Sequence, residues 1–573
     1  MTHRISRRWL LRYGAFLGGS VALDQLLPAW ARSETHGVAR ALPALSGREI
    51  ALTIGTTHLP VDGRSGHAIT INGTVPAPLV RLKQGQRVRI AVTNDLDEDT
   101  SIHWHGVIVP FQMDGVPGVS FPGIRPHSTF VYEFDVVQSG TYWYHSHSGL
   151  QEQSGHYGPI VIDPEGRDPV VSDREYAVVL SDWSFLHPHA IFRKLKAQPG
   201  YFNQQKQTLA SLLGGEDQPL AQRLHWAQMR MDPTDVSDVT GSTYTFLVNG
   251  HGPADNWTAL FQPGERVRLR FVNAAAMTNF NVRIPGLRMS VVQADGQNVR
   301  PVQVDEFQIA VAETLDVIVQ PGEDRAFTLV AEAVDRSGMG RATLAPRPGM
   351  SAEIPPLRKR PLLAMKDMGM DMSGIDHSSM DHGDMDMSMS MRDPANAPQV
   401  KMGPGVQMIS PMPVDRTGEP GPGLEDVGHK VLVYRDLVAW ERNPDVRAPT
   451  RSLEIHLTGN MERFMWSFDG EKFSEVTAPI PFRQNERVRV TLVNDSMMAH
   501  PIHLHGHFFE LVTGHGEFAA RKHTVNVLPG GKVTFDLTAN AFGDWAFHCH
   551  LLYHMHAGMF RVVSVRPAAE PMR

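Results

Sequence analysis

Two imidazoles flank the single cysteine of this chain, in the stretch AFHCHLLYHMHAGM that runs from residue 546 to 559. On an extended strand, residues i and i+2 point to one face and the residue between them points to the other. His548 and His550 would therefore serve one metal site, while the Cys549 thiolate serves a second site behind it. A few covalent bonds would connect the two sites, so Cys549 is predicted to be both a ligand and an electron conduit.

The thiolate site needs further ligands, and their types indicate the metal. Two histidines, a thiolate and a weakly bound axial methionine are the donor set of blue-copper sites. The last repeat of the sequence supplies these types at His500, Cys549, His554 and Met559. A structural zinc site would instead need four closed ligands, often several cysteines. We therefore predict copper at this site.

Paired histidines recur at matched positions of an internal repeat. The segments QGQRVRIAVTN, PGERVRLRFVN and QNERVRVTLVN end at Asn94, Asn273 and Asn494. A His-x-His pair follows nine residues after the first and third asparagines, whereas the second repeat has Val282 and Ile284 there. A further pair follows in each outer repeat. The four pairs are His103 and His105, His145 and His147, His503 and His505, and His548 and His550. We predict that they form one all-imidazole cluster between the outer repeats. Imidazole does not by itself select copper over zinc, nickel or iron, but the neighbouring thiolate site favours copper.

The elements that must position these residues are β-strands. Each repeat alternates apolar and polar residues after a Gly or Asn turn, and similar short runs surround it. This pattern predicts an all-β chain of three related β-sandwich domains, at residues 45–165, 172–346 and 428–566. We expect an insertion near residues 186–240, where QQKQTLASLLGG predicts a short helix that ends at Gly214.

Composition excludes several classes of partner. The chain has 573 residues, too many for one core, and a formal net charge of -7. Because lysine and arginine form no basic stripe, we expect no nucleic-acid partner. No apolar run beyond the N-terminal segment is long enough for a stable membrane span.

The N-terminus has the pattern of an export signal. MTHRISRRWLL places Arg7 and Arg8 before an apolar stretch, and the stretch Ala29-Trp30-Ala31 has the small-x-small pattern of a cleavage site. The segment resembles a bacterial twin-arginine signal. We therefore expect a signal peptide at residues 1–31, recognition by the twin-arginine export machinery and a periplasmic location.

A methionine-rich tract lies in the expected linker, residues 347–427. Residues 365–391 hold nine methionines among Asp, Ser, Gly and two histidines, without apolar periodicity. Thioethers prefer Cu(I), so we predict Cu(I) capture by this tract. The candidates are Met368, Met370, Met372, His377, Met380, His382, Met385, Met387, Met389 and Met391, with Met497 and Met498 just before His500. A low-complexity linker is the alternative for the tract, and core packing is the alternative for Met497 and Met498.

Four motifs resemble the copper-binding signatures of the multicopper oxidases: HWHG at residues 103–106, HSH at 145–147, HPIHLHGH at 500–507 and HCHLLYHMHAGM at 548–559. The resemblance covers nearly the whole chain after residue 31. Together with the signal, MDGVPG after the first motif and the methionine tract, it favours the periplasmic copper-resistance branch. It implies three cupredoxin-like Greek-key sandwiches and four copper ions.

The resemblance also implies ligand roles. His500, Cys549, His554 and Met559 would hold a type 1 copper, His103 and His503 a type 2 copper, and two trios, His105, His145 and His550 and then His147, His505 and His548, a type 3 pair. Asp114 matches an acidic residue that helps to deliver protons in the family, although it could be only a turn residue of MDGVPG. Met555 and His556 stand where some relatives have acidic residues. His127, His156, His507 and His556 receive no ligand role.

The activity that the resemblance implies is oxidation of a substrate by single electrons, coupled to reduction of dioxygen to two waters. Electrons would pass from the type 1 site along Cys549 to His548 and His550. We expect Cu(I) as the donor, in copper tolerance. A laccase-like oxidase of phenols and a copper-sequestering binding protein are the alternatives.

Overall fold

The structure, a computed structural model, describes residues 41–370 and 391–567. Within these residues the chain forms six β-sheets, arranged as three modules of two sheets each. The prediction of an all-β chain of three cupredoxin-like sandwiches is confirmed. The expected signal peptide and seven of the tract candidates, Met372, His377, Met380, His382, Met385, Met387 and Met389, lie outside the described residues.

The first module has nine strands. They are β1 (Ala44–Ser46), β2 (Glu49–Val61), β3 (Arg64–Ile71), β4 (Leu79–Lys83), β5 (Arg87–Asn94), β6 (His103–His105), β7 (Thr129–Asp135), β8 (Gly140–His145) and β9 (Tyr157–Asp163). One sheet has the order β3-β2-β5-β7 and the other β1-β4-β9-β8-β6. Their facing sides enclose an apolar cluster that belongs to this module.

The second module has eleven strands. They are β10 (Arg174–Ser184), β11 (Tyr244–Val248), β12 (Trp257–Leu260), β13 (Val267–Asn273), β14 (Phe280–Arg283), β15 (Met289–Ala294), β16 (Gln297–Val304), β17 (Glu306–Ile309), β18 (Thr314–Val319), β19 (Phe327–Ala333) and β20 (Met339–Ala345). The sheets have the orders β11-β10-β13-β18-β15-β16 and β12-β20-β19-β14-β17. Val282 and Ile284 are buried in the core, so this module contributes apolar packing at the register where the outer modules carry histidines.

The third module follows a short linker strand, β21 (Val414–Asp415), that pairs in parallel with Gly531 and Lys532 of this module. Its own strands are β22 (Arg451–Asn460), β23 (Met465–Phe468), β24 (Ile480–Arg483), β25 (Arg487–Asn494), β26 (His500–Leu504), β27 (Phe509–Leu511), β28 (Arg521–Lys522), β29 (Thr524–Val527), β30 (Gly531–Thr538), β31 (Gly543–Cys549) and β32 (Phe560–Arg566). The sheets have the orders β23-β22-β25-β30-β27-β28 and β24-β32-β31-β26-β29. This module shares one continuous apolar core with the second.

The strand at the end of each repeated segment has the same pairing in all three modules. β5, β13 and β25 run parallel to β2, β10 and β22, respectively, and antiparallel to β7, β18 and β30. The internal repeat of the sequence is therefore also a repeat of topology. Each module places the chain that follows its repeat strand at the same end of the sandwich.

A buried asparagine ends each repeat strand and holds the loop that follows. The Asn94 side chain accepts a hydrogen bond from the backbone N–H two residues later and donates to two backbone carbonyls. Asn273 and Asn494 make the same three bonds. In the outer modules this loop leads directly into the first ligand strand, so the asparagine fixes where β6 and β26 begin.

The described helices are short and lie mostly in the insertion: α1 (Pro188–Ala197), α2 (Leu209–Leu213), α3 (Leu220–Gln228) and, in the third module, α4 (Leu552–Ala557). The helix predicted before Gly214 is confirmed, with Thr208 as its N-cap. Among the described residues, none of the helices has the length and apolar character needed to cross a bilayer.

Replacing Asn273 by alanine should destabilise the protein by roughly 2–4 kcal/mol, because three buried backbone groups lose their partner. The position lies in the module without paired histidines, so the effect is separable from metal binding. We expect a lower midpoint in thermal unfolding of the metal-free protein. The exposed control Asn396→Ala should change stability by less than about 0.5 kcal/mol. Equal midpoints for both variants would contradict this interpretation.

Candidate metal centres

Two antiparallel strand pairs carry the paired histidines. In the first module, β6 pairs with β8 so that His103 lies opposite His145. In the third module, β26 pairs with β31 so that His503 lies opposite His548. Because the modules have the same topology, each presents two His-x-His pairs from adjacent strands on one face of a sheet.

The eight histidines of the four pairs, called the imidazole cluster below, meet between the first and third modules. The His105 ring stacks on His503 with centroids 3.8 Å apart, and the His103 ring stacks on His505 at 3.9 Å. Ligand nitrogens converge within 4.8 Å of one another in three trios: His103, His105 and His503; His105, His145 and His550; and His147, His505 and His548. The structure thus brings together all eight residues that the sequence singled out.

The free nitrogens of the imidazole cluster fit a metal. Six buried ring nitrogens have no hydrogen-bond partner among the described residues: His103 Nε2, His105 Nδ1, His145 Nε2, His147 Nε2, His503 Nε2 and His550 Nε2. The Nε2 atoms of His505 and His548 face each other at 3.1 Å. Burial, and then neighbouring imidazoles, lower the pKa of His105, His145, His147, His503, His505 and His550. Burial also lowers the pKa of His548, to about 4. These rings are neutral, so their lone pairs are available to cations.

A second group, called the thiolate centre below, contains His500, Cys549 and His554. Nδ1 of His500 lies 3.5 Å from the Cys549 sulfur and 3.3 Å from Nδ1 of His554. The outer nitrogens have other partners: Ser496 Oγ lies 2.7 Å from His500 Nε2, and Asp238 Oδ2 lies 2.6 Å from His554 Nε2. Both Nδ1 atoms therefore face the sulfur, which is the arrangement of a metal site with two nitrogens and one sulfur.

Burial raises the pKa of the Cys549 thiol, so a metal ion must displace a proton to bind there. Met559 is fully buried, and its carbonyl accepts a hydrogen bond from the backbone N–H of Cys549. This backbone hydrogen bond holds the predicted axial methionine next to the residue that carries the thiol.

Strand β31 connects the two groups. It is extended through Cys549, so His548 and Cys549 project to opposite faces, as expected from the sequence. The carbonyl of Cys549 lies 3.0 Å from Nδ1 of His548. A continuous covalent and hydrogen-bonded connection therefore joins the sulfur of the thiolate centre to the imidazole cluster.

Asp114 lies at the imidazole cluster, fully buried. Its Oδ2 is 2.9 Å from Nδ1 of His505, and its backbone carbonyl is 2.8 Å from Nδ1 of His103. The next residue, Gly115, has φ of +81°, and a Cβ there would lie 1.8 Å from the carbonyl oxygen of Ile102. Only glycine permits this close turn, which presents Asp114 to histidines of both modules.

Two buried carboxylates at the centres were missed from the sequence. Glu152 Oε2 lies 2.8 Å from Nδ1 of His145, and Asp238 Oδ2 lies 2.6 Å from Nε2 of His554. Burial raises the pKa of Glu152, and it raises the pKa of Asp238 to about 8. Glu152 follows the HSH motif by five residues, which is a weak signal. Asp238 comes from the insertion, and no spacing relates it to His554.

Methionines from three parts of the chain pack together in a separate apolar cluster. This methionine cluster has a buried part, Trp226, Leu363, Met368, Met408 and Met497, and a partly buried rim, Met229, Met231, Val236, Met365, Met370, Met391 and Met461. The ends of the tract are therefore packed against the protein. Met498 lies in the main core instead.

The four histidines that received no ligand role from the sequence have different surroundings. His507 is buried, and its Nδ1 lies 3.0 Å from the carbonyl of His505. His127 is exposed beside Asp97, and His556 is exposed near Phe192. His156 is fully buried, with no hydrogen-bond partner for either ring nitrogen among the described residues.

The metal-free protein should lose stability as the pH falls from about 6.5 towards 4. Burial lowers the pKa of His156 to about 3, so the folded chain keeps this ring neutral while the unfolded chain protonates it below about 6.5. Because the unfolded state then binds more protons, the stabilisation is complete above pH 6.5 and decreases on acidification. His156→Leu should remove about one proton from the uptake that accompanies unfolding. The loss of unfolding free energy between pH 6.5 and pH 5 should therefore be about 2 kcal/mol smaller than in the wild type.

The measurement is thermal unfolding of the metal-free protein as a function of pH. His127→Asn is the control, because its side chain is exposed and asparagine tolerates the positive φ of this position. The control should have the same pH dependence as the wild type. An unchanged pH dependence in His156→Leu would be the contradicting outcome.

The sequence of this chain is similar to those of known proteins. Sequence models of the multicopper oxidase family match residues 53–167, 217–348 and 447–569. The copper resistance protein A homolog of Pseudomonas syringae pv. tomato is 50% identical, with 91% of this chain and 93% of that protein covered. Copper resistance protein A of Escherichia coli is 47% identical, with 99% of this chain and 100% of that protein covered.

Solved structures share the fold. Fet3p, described as a multicopper oxidase that functions in iron import, has a TM-score of 0.63 at 20% identity, with 91% of each chain covered. The laccase from Botrytis aclada also has a TM-score of 0.63 at 20% identity, with 93% of this chain and 90% of that one covered. From the family models, the extent of identity to these relatives and the two groups of converging ligands, the chain belongs to the multicopper oxidase family.

Proposed function

We propose that this multicopper oxidase oxidises Cu(I) to Cu(II) in copper tolerance and couples the reaction to four-electron reduction of dioxygen to water. The relatives named copper resistance protein A support the role in copper resistance. The paired Arg7 and Arg8 before an apolar stretch support twin-arginine export and a periplasmic location.

The ligand roles extend this proposal to four copper ions. The thiolate centre with Met559 would hold the type 1 copper, and His103 with His503 would hold the type 2 copper. The type 3 pair would be held by His105, His145 and His550 and by His147, His505 and His548. When bound, copper supplies the one-electron chemistry and the reaction with dioxygen. The chain itself supplies neutral nitrogens, the Cys549 connection and, at Asp114, a buried carboxylate that we propose as a proton donor.

The methionine cluster is the observation that best supports Cu(I) as the electron donor. It unites thioethers of the insertion (Met229, Met231), the linker and the third module (Met461). Thioether sulfur is a soft ligand that prefers Cu(I) over the harder ions of the periplasm. Six of these methionines lie on the partly exposed rim, where an ion from solvent can reach them.

Two features connect the methionine cluster to the thiolate centre. Met497 belongs to the cluster and lies three residues before His500, in the loop held by Asn494. Asp238 belongs to the insertion, which also carries Trp226 of the cluster, and it contacts His554. The insertion thus contacts the thiolate centre at His554 and also contributes methionines to the cluster.

The burial of His554 favours an ion over an organic donor. This imidazole has no exposed surface, and its ring stacks on Trp466 with centroids 3.8 Å apart. Asp238 occupies the outer nitrogen, where a phenol would otherwise approach. A phenol would have to displace the insertion, whereas a monovalent ion can bind at the methionine rim.

Replacing five rim methionines by leucine should weaken Cu(I) oxidation selectively. The changes are Met229→Leu, Met231→Leu, Met365→Leu, Met370→Leu and Met461→Leu. Leucine keeps the packing volume and removes the sulfur, so the KM for Cu(I) should rise about tenfold or more, equivalent to about 1.4 kcal/mol, with little change in kcat. The measurement is steady-state oxygen consumption with Cu(I) and, separately, with a phenol.

The matched control is the pair Met289→Leu and Met339→Leu, which are buried in the core of the second module. It should leave both reactions near the wild-type rates. Unchanged Cu(I) kinetics in the rim variant would contradict the proposed donor site. Parallel losses with Cu(I) and phenol would indicate a general effect on the thiolate centre and would also contradict a dedicated Cu(I) site.

A further inference from the structure

The repeat allows each ligand position of the thiolate centre to be located in the first module. In the third module, His500 follows the repeat asparagine by six residues, and Cys549 follows Gly543 by six. At the same offsets, the first module has Thr100 and Ser146. Gln151 follows Ser146 by five residues, as His554 follows Cys549, and His156 follows by ten, as Met559 does. The four positions therefore have counterparts without a thiol.

These counterparts also meet in space. Thr100 Oγ1 donates a hydrogen bond to Gln151 Oε1 at 2.7 Å, and Ser146 Oγ donates to the same oxygen at 2.8 Å. All three side chains are buried. The first module thus repeats the convergence seen in the thiolate centre, with one amide oxygen and two hydroxyls in place of two imidazoles and a sulfur.

The other end of the amide reaches the loop that precedes the first ligand strand. Gln151 Nε2 donates to Glu98 Oε1 at 2.8 Å and to the carbonyl of Asp99 at 3.0 Å. This loop leads into β6. Gln151 therefore joins the start of the strand that carries His103 and His105 to Ser146, the residue between His145 and His147.

The comparison with the third module shows what this connection does. There, a bound metal would join the start of β26, strand β31 and helix α4 through His500, Cys549 and His554. In the first module the corresponding three segments are joined by hydrogen bonds alone. Hydroxyl and amide oxygens are poor ligands for Cu(I), and this group contains no thiolate. His156, the counterpart of Met559, is fully buried, and its carbonyl accepts a hydrogen bond from the backbone N–H of Ser146, as the Met559 carbonyl does from Cys549.

We propose that Gln151 is a positioning residue, and that the Thr100–Ser146–Gln151 group is a metal-free counterpart of the type 1 site. It holds the two histidine pairs of the first module in register, so that the imidazole cluster can bind a magnetically coupled copper pair. The inference rests on the ligand roles proposed above, but it assigns a function to three residues that contribute no ligand to either centre.

The test compares the copper-loaded wild type with Gln151→Leu. A coupled copper pair is silent in electron paramagnetic resonance, so about half of the wild-type copper should be undetectable. In Gln151→Leu we expect the detectable fraction to approach the total, and copper affinity of the cluster to fall about 10–100-fold. The blue thiolate-to-copper absorption should persist, because the third module is unchanged.

A second pair of variants keeps the test valid if Gln151→Leu does not fold. Thr100→Val removes one hydroxyl at constant shape, and Thr100→Ser retains it. The first should raise the detectable copper fraction, and the second should restore the wild-type value. In the metal-free protein, hydrogen exchange at residues 98–101 should accelerate in Thr100→Val but not in Thr100→Ser.

Two results would overturn these claims, and they are distinguishable. A wild type without any silent copper pair would contradict the proposed cluster itself. A wild type with the silent pair, together with Gln151→Leu and Thr100→Val variants that keep it fully, would contradict only the positioning role.

Discussion

The constraint on which this structure depends is the alternation of side chains along β31. One extended segment turns a thiol towards one group of ligands and imidazoles towards another, separated by a single backbone unit. No helix could present neighbouring residues in opposite directions at this distance. The sandwich fold preserves the arrangement, because β31 lies inside a sheet between β26 and β32.

Burial gives both centres their chemical character. The imidazoles are held away from water, which lowers their pKa values and leaves nitrogens without partners. Such orphaned groups destabilise a metal-free fold, so metal binding and folding are thermodynamically linked. The repeated asparagines and, in the first module, Gln151 supply hydrogen bonds that keep the ligand strands in place at some distance from the metal. The insertion contacts the thiolate centre through Asp238 and contributes Met229 and Met231 to the methionine cluster.

The sequence predicted most of this arrangement, because the ligand pairs follow the strand period and the repeat register. The offsets placed His103 and His503 in one predicted cluster, and the structure brings them to one trio. Asp238 could not be predicted, because its contact with His554 spans 316 residues and depends on how the insertion folds back. The same is true of the packed ends of the methionine tract, which have no apolar periodicity and join side chains from distant segments. The counterpart at Gln151 is visible in the offsets, but polar residue types gave no signal of a site.

The most direct test of the central claim is the copper content and optical spectrum of Cys549→Ser beside the wild type. We expect a blue wild type with a full copper complement, and a colourless variant with one copper fewer per chain. The variant should retain the silent copper pair but should not oxidise substrate, because the connection along β31 is cut. A colourless wild type with full copper, or a Cys549→Ser variant that turns over at the wild-type rate, would contradict the account.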